Sequence, residues 1–193
     1  ILIICLIMAS DFYSDDEIKK LDFKSIGKNI KISKSCIFFN AHLISMGNNV
    51  RIDANSVITA NKEPIIFGSF IHIGVGCYIN GSYGLELKDF SGLASGVRLF
   101  TSSDDYSGEF MTNPTVPSEL TNPYNSRIVI SKYVNIGSNS VIMPGVTIEE
   151  GSVVGSLSLV NKSLKSWGVY FGSPVIRLND RNKNVLLLSK KLL

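Results

Sequence analysis

Residues 130–161 read ISKYVN IGSNSV IMPGVT IEEGSV VGSLSL VN, and the spacing follows the sequence's own beat of six. Ile130, Ile136, Ile142, Ile148, Val154 and Val160 open the groups. Four positions after each of the first five stands a small or β-branched residue: Val134, Ser140, Val146, Ser152 and Ser158. A period of six fits neither the 3.6-residue turn of an α-helix nor the alternation of a lone strand. It fits a three-sided solenoid, in which three short strands and their turns make a coil of about 18 residues. Coils stacked in this way bury a continuous aliphatic column that one coil could not bury alone.

The same beat runs upstream in sets of three: Ile26, Ile32, Phe38; Met46, Ile52, Ile58; Phe67, Ile73, Ile79; Leu87, Leu93, Leu99. Extra residues such as Ile44-Ser45 and Leu85-Glu86 separate the sets, so five or six coils are expected. Each buried aliphatic side chain contributes about 1.5–3 kcal/mol, and some fifteen of them make an ample core. Gly68, Gly74 and Gly137 suit places where a side chain would crowd the backbone. Between Thr101 and Ile128 the beat stops in a polar stretch carrying Pro114, Pro117 and Pro123, expected to protrude as a loop over about 104–128. A loop of that length inside a compact domain is more often functional than decorative.

The fold class expected is therefore an all-β solenoid, a parallel β-helix with short terminal helices. Its divisions are an N-terminal segment 1–25, a solenoid 26–176 and a helical tail 177–193. Ser14-Asp15-Asp16-Glu17 is a capping-box pattern that starts a short helix over the first coil. The 193 residues suit one sizeable domain, and the 45% hydrophobic and 18% charged composition is ordinary for a globular chain. A net charge of +3 without a Lys/Arg-rich face calls for no nucleic-acid partner. Cys5, Cys36 and Cys77 match no zinc or redox spacing and read as free thiols in a reducing, cytoplasmic setting. The apolar run Ile1–Met8 would span about 12 Å as a helix against about 30 Å of hydrocarbon, so no membrane partner is expected. Residues 1–7 read as upstream translated sequence or an expression artefact, with a truncated anchor as the alternative.

The repeat array, the segment GSFIHIGVGCYIN at 68–80, the run 135–163 and GVYFGSPV at 168–175 together resemble the hexapeptide-repeat acyltransferases. The resemblance covers nearly all of residues 26–180. It is strongest to galactoside and maltose acetyltransferases and to the sugar acetyltransferases of surface-polysaccharide pathways, lipopolysaccharide among them. SSDDYSGEFMTNPTVP further resembles acetyltransferases acting on amino-deoxysugars or O-antigen sugars. What the resemblance implies is a left-handed coil and direct acetyl transfer from acetyl-CoA to a sugar or nucleotide-sugar acceptor, with no metal. It also implies a homotrimer whose sites lie between subunits. It places the pantetheine arm along Ser138 and Ser156, its end near Asn161 and Lys162, and an acceptor contact at Asn80.

In the galactoside-type enzymes a histidine acts as general base where the loop leaves the coil, and here Asp104 stands there. Asp105 and His72 are the other candidates for the base. A hydroxyl acceptor needs a base with a pKa near 7, whereas aspartate starts near 3.9. A carboxylate is better suited to orienting an amine and taking its proton, which tilts the acceptor toward an amino sugar. His72 could instead reach the site from a neighbouring subunit. Asp104 and Asp105 could also be turn-forming residues, Asn80 a turn residue beside Gly81, Lys162 a solvated charge, and His42 an interior or turn histidine. Ile176-Arg177 follows the glycine–x–proline where many relatives carry the cation two residues on. A zinc enzyme of carbonic-anhydrase type would need several histidine ligands, and only two histidines are present. A non-catalytic solenoid scaffold is the competing function.

Overall fold

The structure, a computed structural model, describes residues 11–192, so the expectations for Cys5 and residues 1–7 lie outside it. The hexapeptides form strands of two to five residues, wound into three parallel sheets that close a left-handed β-helix. Sheet one holds Ser25–Ile26, Ile44–Met46, Glu63–Phe67, Tyr83–Leu87, Ile128–Ile130 and Thr147–Ile148. Sheet two begins Lys31–Ile32, Val50–Ile52, Ile71–Ile73, Gly92–Leu93, Asn135–Ile136 and Val153–Val154. Sheet three holds Ile37–Phe39, Val57–Thr59, Tyr78–Asn80, Arg98–Phe100, Val141–Ile142 and Leu159–Val160.

Register follows the aliphatic beat. In sheet two Ile32 lies beside Ile52, then Ile73, Leu93, Ile136 and Val154. In sheet three Phe38 lies beside Ile58, then Ile79, Leu99, Ile142 and Val160. Nearly all of these side chains are buried, as are the second-position residues Val134, Ser140, Val146, Ser152 and Ser158. The corner after sheet two shows why small residues recur: a Cβ on Gly137 would lie 2.4 Å from the Ser156 nitrogen of the next coil. At the corner between sheets one and two the chain turns through left-handed backbone at Asn29, Asn49, Phe70, Phe90 and Tyr133. That conformation is uncommon for a bulky side chain. The rings stack instead, Phe70 on Phe90 at 4.6 Å and Phe90 on Tyr133 at 5.2 Å, each within 10° of parallel. Such pairs add about 0.5–1.5 kcal/mol each, comparable to the backbone cost they offset.

The ends are closed differently. Helix α1, Asp15–Ile18, has its full capping box: the Glu17 amide donates to the Ser14 hydroxyl and the Ser14 amide to the Glu17 carboxylate at 2.7 Å. That backbone donor, with Lys34 beside it, brings the Glu17 carboxyl down to about 2. Ile18 is buried against the first coil. At the other end Gly168–Gly172 pairs with Val153–Val154, and Val175–Asp180 returns antiparallel to it. Residues 177–180 of the expected helical tail are thus strand, because the last sheet edge takes its hydrogen bonds from a hairpin. Helix α2 occupies only Val185–Ser189. The protruding loop is pinched at its base where Ser102–Ser103 pairs antiparallel with Tyr124–Asn125, and Ile128 is already back in sheet one.

Ile136→Ala is expected to cost about 2–5 kcal/mol in urea unfolding, because neighbours above and below prevent collapse of the void. Ser91 tests the opposite case: its hydroxyl is buried in the core without a hydrogen-bond partner among the described residues. Ser91→Ala should leave stability unchanged or raise it by about 1 kcal/mol.

Candidate active site

Two concavities hold several of the candidate side chains. The first is a cavity of about 360 Å³ at the base of the loop, where Asn80 and Asp104 come together with Ser102, Ser103, Asn113 and Pro114. Asn80 sits one coil below Phe100, and its carbonyl accepts from the Thr101 amide at 2.9 Å and hydroxyl at 2.8 Å. Its side-chain oxygen accepts from the Ser82 amide at 3.3 Å, so it also shapes the turn next to Gly81. Asp104 is exposed, with no hydrogen bond to its carboxylate among the described residues. Asp105 behaves differently. Its carboxylate accepts from the Ser107 amide at 2.7 Å and from the Asn122 side chain at 3.2 Å. The Ser107 hydrogen bonds, with a smaller part from Asn122, hold that carboxyl below the usual range, and Asp105 ties the loop to itself.

The second concavity is a groove of about 560 Å³ on the outer face of sheet two, lined by His72, Gly92, Ser95, Asn135, Ser138 and Arg181 among others. His72 Nε2 lies 2.7 Å from Asp53 Oδ2, and Arg51 Nε donates to Asp53 Oδ1 at 2.6 Å. Partial burial pushes the Asp53 carboxyl up, but the hydrogen bonds from His72 and Arg51 outweigh it and hold the carboxyl below its ordinary value. Sequence reasoning missed Asp53. The signal was present: at this corner the other coils place Ser33, Gly74, Ala94, Gly137 and Gly155, and only this one places an acid.

One chain does not bring all the candidates together. His72 and Ser138 share the groove, while Asn80 and Asp104 share the loop cavity. Ser156 is exposed one coil above Ser138, whose carbonyl accepts from the Leu157 amide at 2.8 Å. Asn161 and Lys162 are exposed and follow Val160, at the edge of sheet three that also carries Asn80. The serines therefore lie on the sheet-two side of sheet three, with His72 nearby, whereas Asn80, Asp104, Asn161 and Lys162 lie at the opposite edge. His42 is exposed in a short 3₁₀ turn, Ala41–Leu43. Cys36 and Cys77 are free and buried, and burial pushes the Cys77 thiol up to about 11. Among the described residues no group of three or more His, Cys, Asp or Glu could hold a metal ion.

Residues 127–162 match the family model for bacterial transferase hexapeptide (six repeats). A dTDP-4-amino-4,6-dideoxy-D-glucose acyltransferase of Escherichia coli is 38% identical over 177 residues, 91% of this chain and 92% of that one. A galactoside O-acetyltransferase of Escherichia coli (strain K12) is 35% identical over 64% of this chain and 63% of its own. Among solved structures, AntD, an N-acyltransferase from Bacillus cereus, in complex with dTDP and 3-hydroxybutyryl-CoA, superposes with a TM-score of 0.90. It is 36% identical, with 95% of this chain and 97% of that one covered. A point variant of AntD in complex with dTDP-4-amino-4,6-dideoxyglucose and coenzyme A gives a TM-score of 0.91.

The Asp53 contacts predict a pH dependence. A carboxyl held low in the folded chain adds stability that is complete above its unfolded value near 3.8 and is lost as pH falls through the lowered one. Asp53→Asn should therefore lower the urea midpoint at pH 7, and the gap to the parent chain should close below about pH 4.

Proposed function

The chain belongs to the hexapeptide-repeat acyltransferases, and from that premise we propose that it transfers an acetyl group from acetyl-CoA to the amino group of a nucleotide-linked amino-deoxysugar. The observation that carries this reading is the full-length match to an acyltransferase for dTDP-4-amino-4,6-dideoxy-D-glucose. It is reinforced by the carboxylate of Asp104 at the place where galactoside-type relatives use a histidine. An amine is nucleophilic without prior removal of a proton, so the base need only accept one as the bond forms. Asp104 suits that task because its carboxylate has no partner among the described residues and shares a cavity with Asn80, whereas His72 Nε2 is committed to Asp53.

The step balances without a further reactant. The acceptor nitrogen bonds the thioester carbonyl carbon, the carbon–sulfur bond breaks, and a nitrogen proton passes by way of Asp104 to the departing thiolate. Asn80 holds the acceptor beside Asp104. Ser138 and Ser156 line the pantetheine arm, and Asn161 with Lys162 meets its far end, where the exposed ammonium can face phosphate oxygens.

These groups occupy opposite edges of sheet three, and its outer face between them is largely apolar, with Ile37, Phe39 and Tyr78 exposed and Arg98 the charged residue in that row. That arrangement supports a homotrimer in which the serine edge of one copy meets the loop cavity of the next. The buried free thiols and the coenzyme A donor favour the cytoplasm. No helix among the described residues is long and apolar enough to cross a membrane. The surface-polysaccharide pathway, lipopolysaccharide included, is the reading that suits an amino-deoxysugar acceptor.

Incubation with acetyl-CoA and dTDP-4-amino-4,6-dideoxyglucose should give an amide product by mass spectrometry, and neutral galactosides should give none. Acetylation of galactoside hydroxyls alone would contradict the reading. Asp104→Asn should lower kcat by about 10²–10⁴-fold with little change in coenzyme affinity, and Asp105→Asn should cost far less. Light scattering should give three times the 21.1 kDa chain mass, falling toward one chain in Tyr78→Glu.

A further inference from the structure

The modest net charge of the chain hides an uneven distribution. Residues 1–150 carry twelve Lys and Arg against fifteen Asp and Glu, whereas residues 151–193 carry seven against one, Asp180. The latter stretch therefore stands at +6, twice the +3 of the whole chain. Arg177 meets Asp180, Lys165 meets Glu149, and Arg181 donates to the carbonyls of Tyr133 and Gly151. Lys183 sits 5.4 Å from the Trp167 ring centre. Lys190 and Lys191 are exposed, with no acidic partner among the described residues.

Helix α2 lies between these lysines, and its sequence, VLLLS, is apolar on nearly every side. A helix of that kind needs apolar contact all round, and the protein supplies it on one side only. Val185 and Leu186 are half-buried, and the Ser189 hydroxyl lies 2.9 Å from that of Tyr133, on the corner between sheets one and two. The fit is loose. A hollow of about 250 Å³, lined by Phe90, Tyr133, Leu188 and Leu192 among others, remains between the helix and the corner. Leu187, Leu188 and Leu192 are 62%, 51% and 63% exposed, which leaves the far side of the helix an apolar surface in water. The edge strand that leads into it adds Ile176 and Leu178, both more than half exposed.

We propose that α2 and its flanking lysines dock the protein on an anionic lipid bilayer, with the leucines entering the interface and Lys183, Lys190 and Lys191 meeting the headgroups. Leucines bracketed by lysines suit that boundary, because the aliphatic chains leave water while the ammonium groups stay in it. An anionic leaflet attracts each cation brought near it, and the excess of positive charge beyond Glu150 supplies that attraction. Two copies of the chain would bring like charge to like charge at this face, and a nucleic acid would leave the leucines in water. The corner under α2 is opposite sheet three, so the proposed trimer contact leaves it open. Residues 182–192 do not line the groove that holds Ser138, which sets these lysines apart from that coenzyme contact. The docking is peripheral, since no described helix is long and apolar enough to cross the bilayer. It goes beyond the acyl-transfer reading and does not depend on which acceptor is used.

The test is flotation of the full chain with vesicles of phosphatidylcholine alone or with about a third phosphatidylglycerol. The chain should float with the anionic vesicles, stay behind with the neutral ones, and be released as salt rises to about 0.5 M. Lys190→Gln combined with Lys191→Gln should weaken binding about tenfold or more, and Leu187→Ser by about tenfold. Both variants should keep the parent's transfer rate, its coenzyme A affinity and, within a few degrees, its unfolding midpoint. Lys24→Gln combined with Lys28→Gln, an exposed pair at the first coil, should bind vesicles as the parent does. If Leu187→Ser fails to fold, the α2 lysine pair decides alone. Absence of the parent from the anionic vesicle fraction would overturn the proposal, and so would unchanged flotation of the α2 variants. Salt-insensitive binding to neutral vesicles would overturn it as well. Coenzyme A affinity falling in step with vesicle binding would assign the lysines to the coenzyme and overturn the docking. A parent chain that floats but transfers no acetyl group would overturn the acyl-transfer reading and support this one.

Discussion

The constraint beneath everything else is that an aliphatic side chain must stand directly above another aliphatic side chain in the next coil. Parallel pairing sets the rise between coils at about 4.8 Å, and the buried column sets the register. A one-residue slip would turn Ile136 outward and bring Asn135 into the core. Because the interior leaves so little freedom, the outward positions and corners hold fixed places on the surface. The molecule can then build sites from residues about twenty apart in sequence, such as Asp53 and His72.

The candidate functional residues collect where the repeat is broken. The loop leaves the solenoid after Thr101, and Asp104 and Asn80 meet at its base. Asp53 replaces a small corner residue, and Gly92 leaves a gap in an outward row. Phe70, Phe90 and Tyr133 take a left-handed turn that asparagine holds in earlier coils. Each departure carries a local cost or forgoes a contact, and each lines one of the two concavities or, as Asp53 does through His72, bonds a residue that lines one. The regular parts of the array contribute stability, and the proposed chemistry is placed on the exceptions.

The columns were legible in the sequence almost residue for residue. Each of the six aliphatic triplets, from Ile26-Ile32-Phe38 to Ile148-Val154-Val160, supplies one coil of the structure. The period is enforced by burial, and burial is written in hydrophobicity. The capping box at Ser14 was equally plain, because both of its hydrogen bonds are local. The hairpin of Gly168–Gly172 and Val175–Asp180 was not, since an apolar tail at the end of a solenoid can satisfy an edge as strand or helix. Asp104, Asn80 and Ser138 were visible as positions, but which of them share a cavity depended on the corner each occupies. Asp53 and Arg181 went unseen because their partners, His72 and the carbonyls of Tyr133 and Gly151, are 19 to 48 residues away.

The proposed role of Asp104 is the part of the acceptor reading that rests on this chain's own residues, because a carboxylate suits an amine better than a hydroxyl. The most direct measurement is a crystal structure of the chain with dTDP-4-amino-4,6-dideoxyglucose and coenzyme A. The account predicts the sugar nitrogen within about 2.6–3.2 Å of the Asp104 carboxylate, beside Asn80 of the same copy. A sugar nitrogen bound against any other base, with Asp104 turned to solvent, would contradict it.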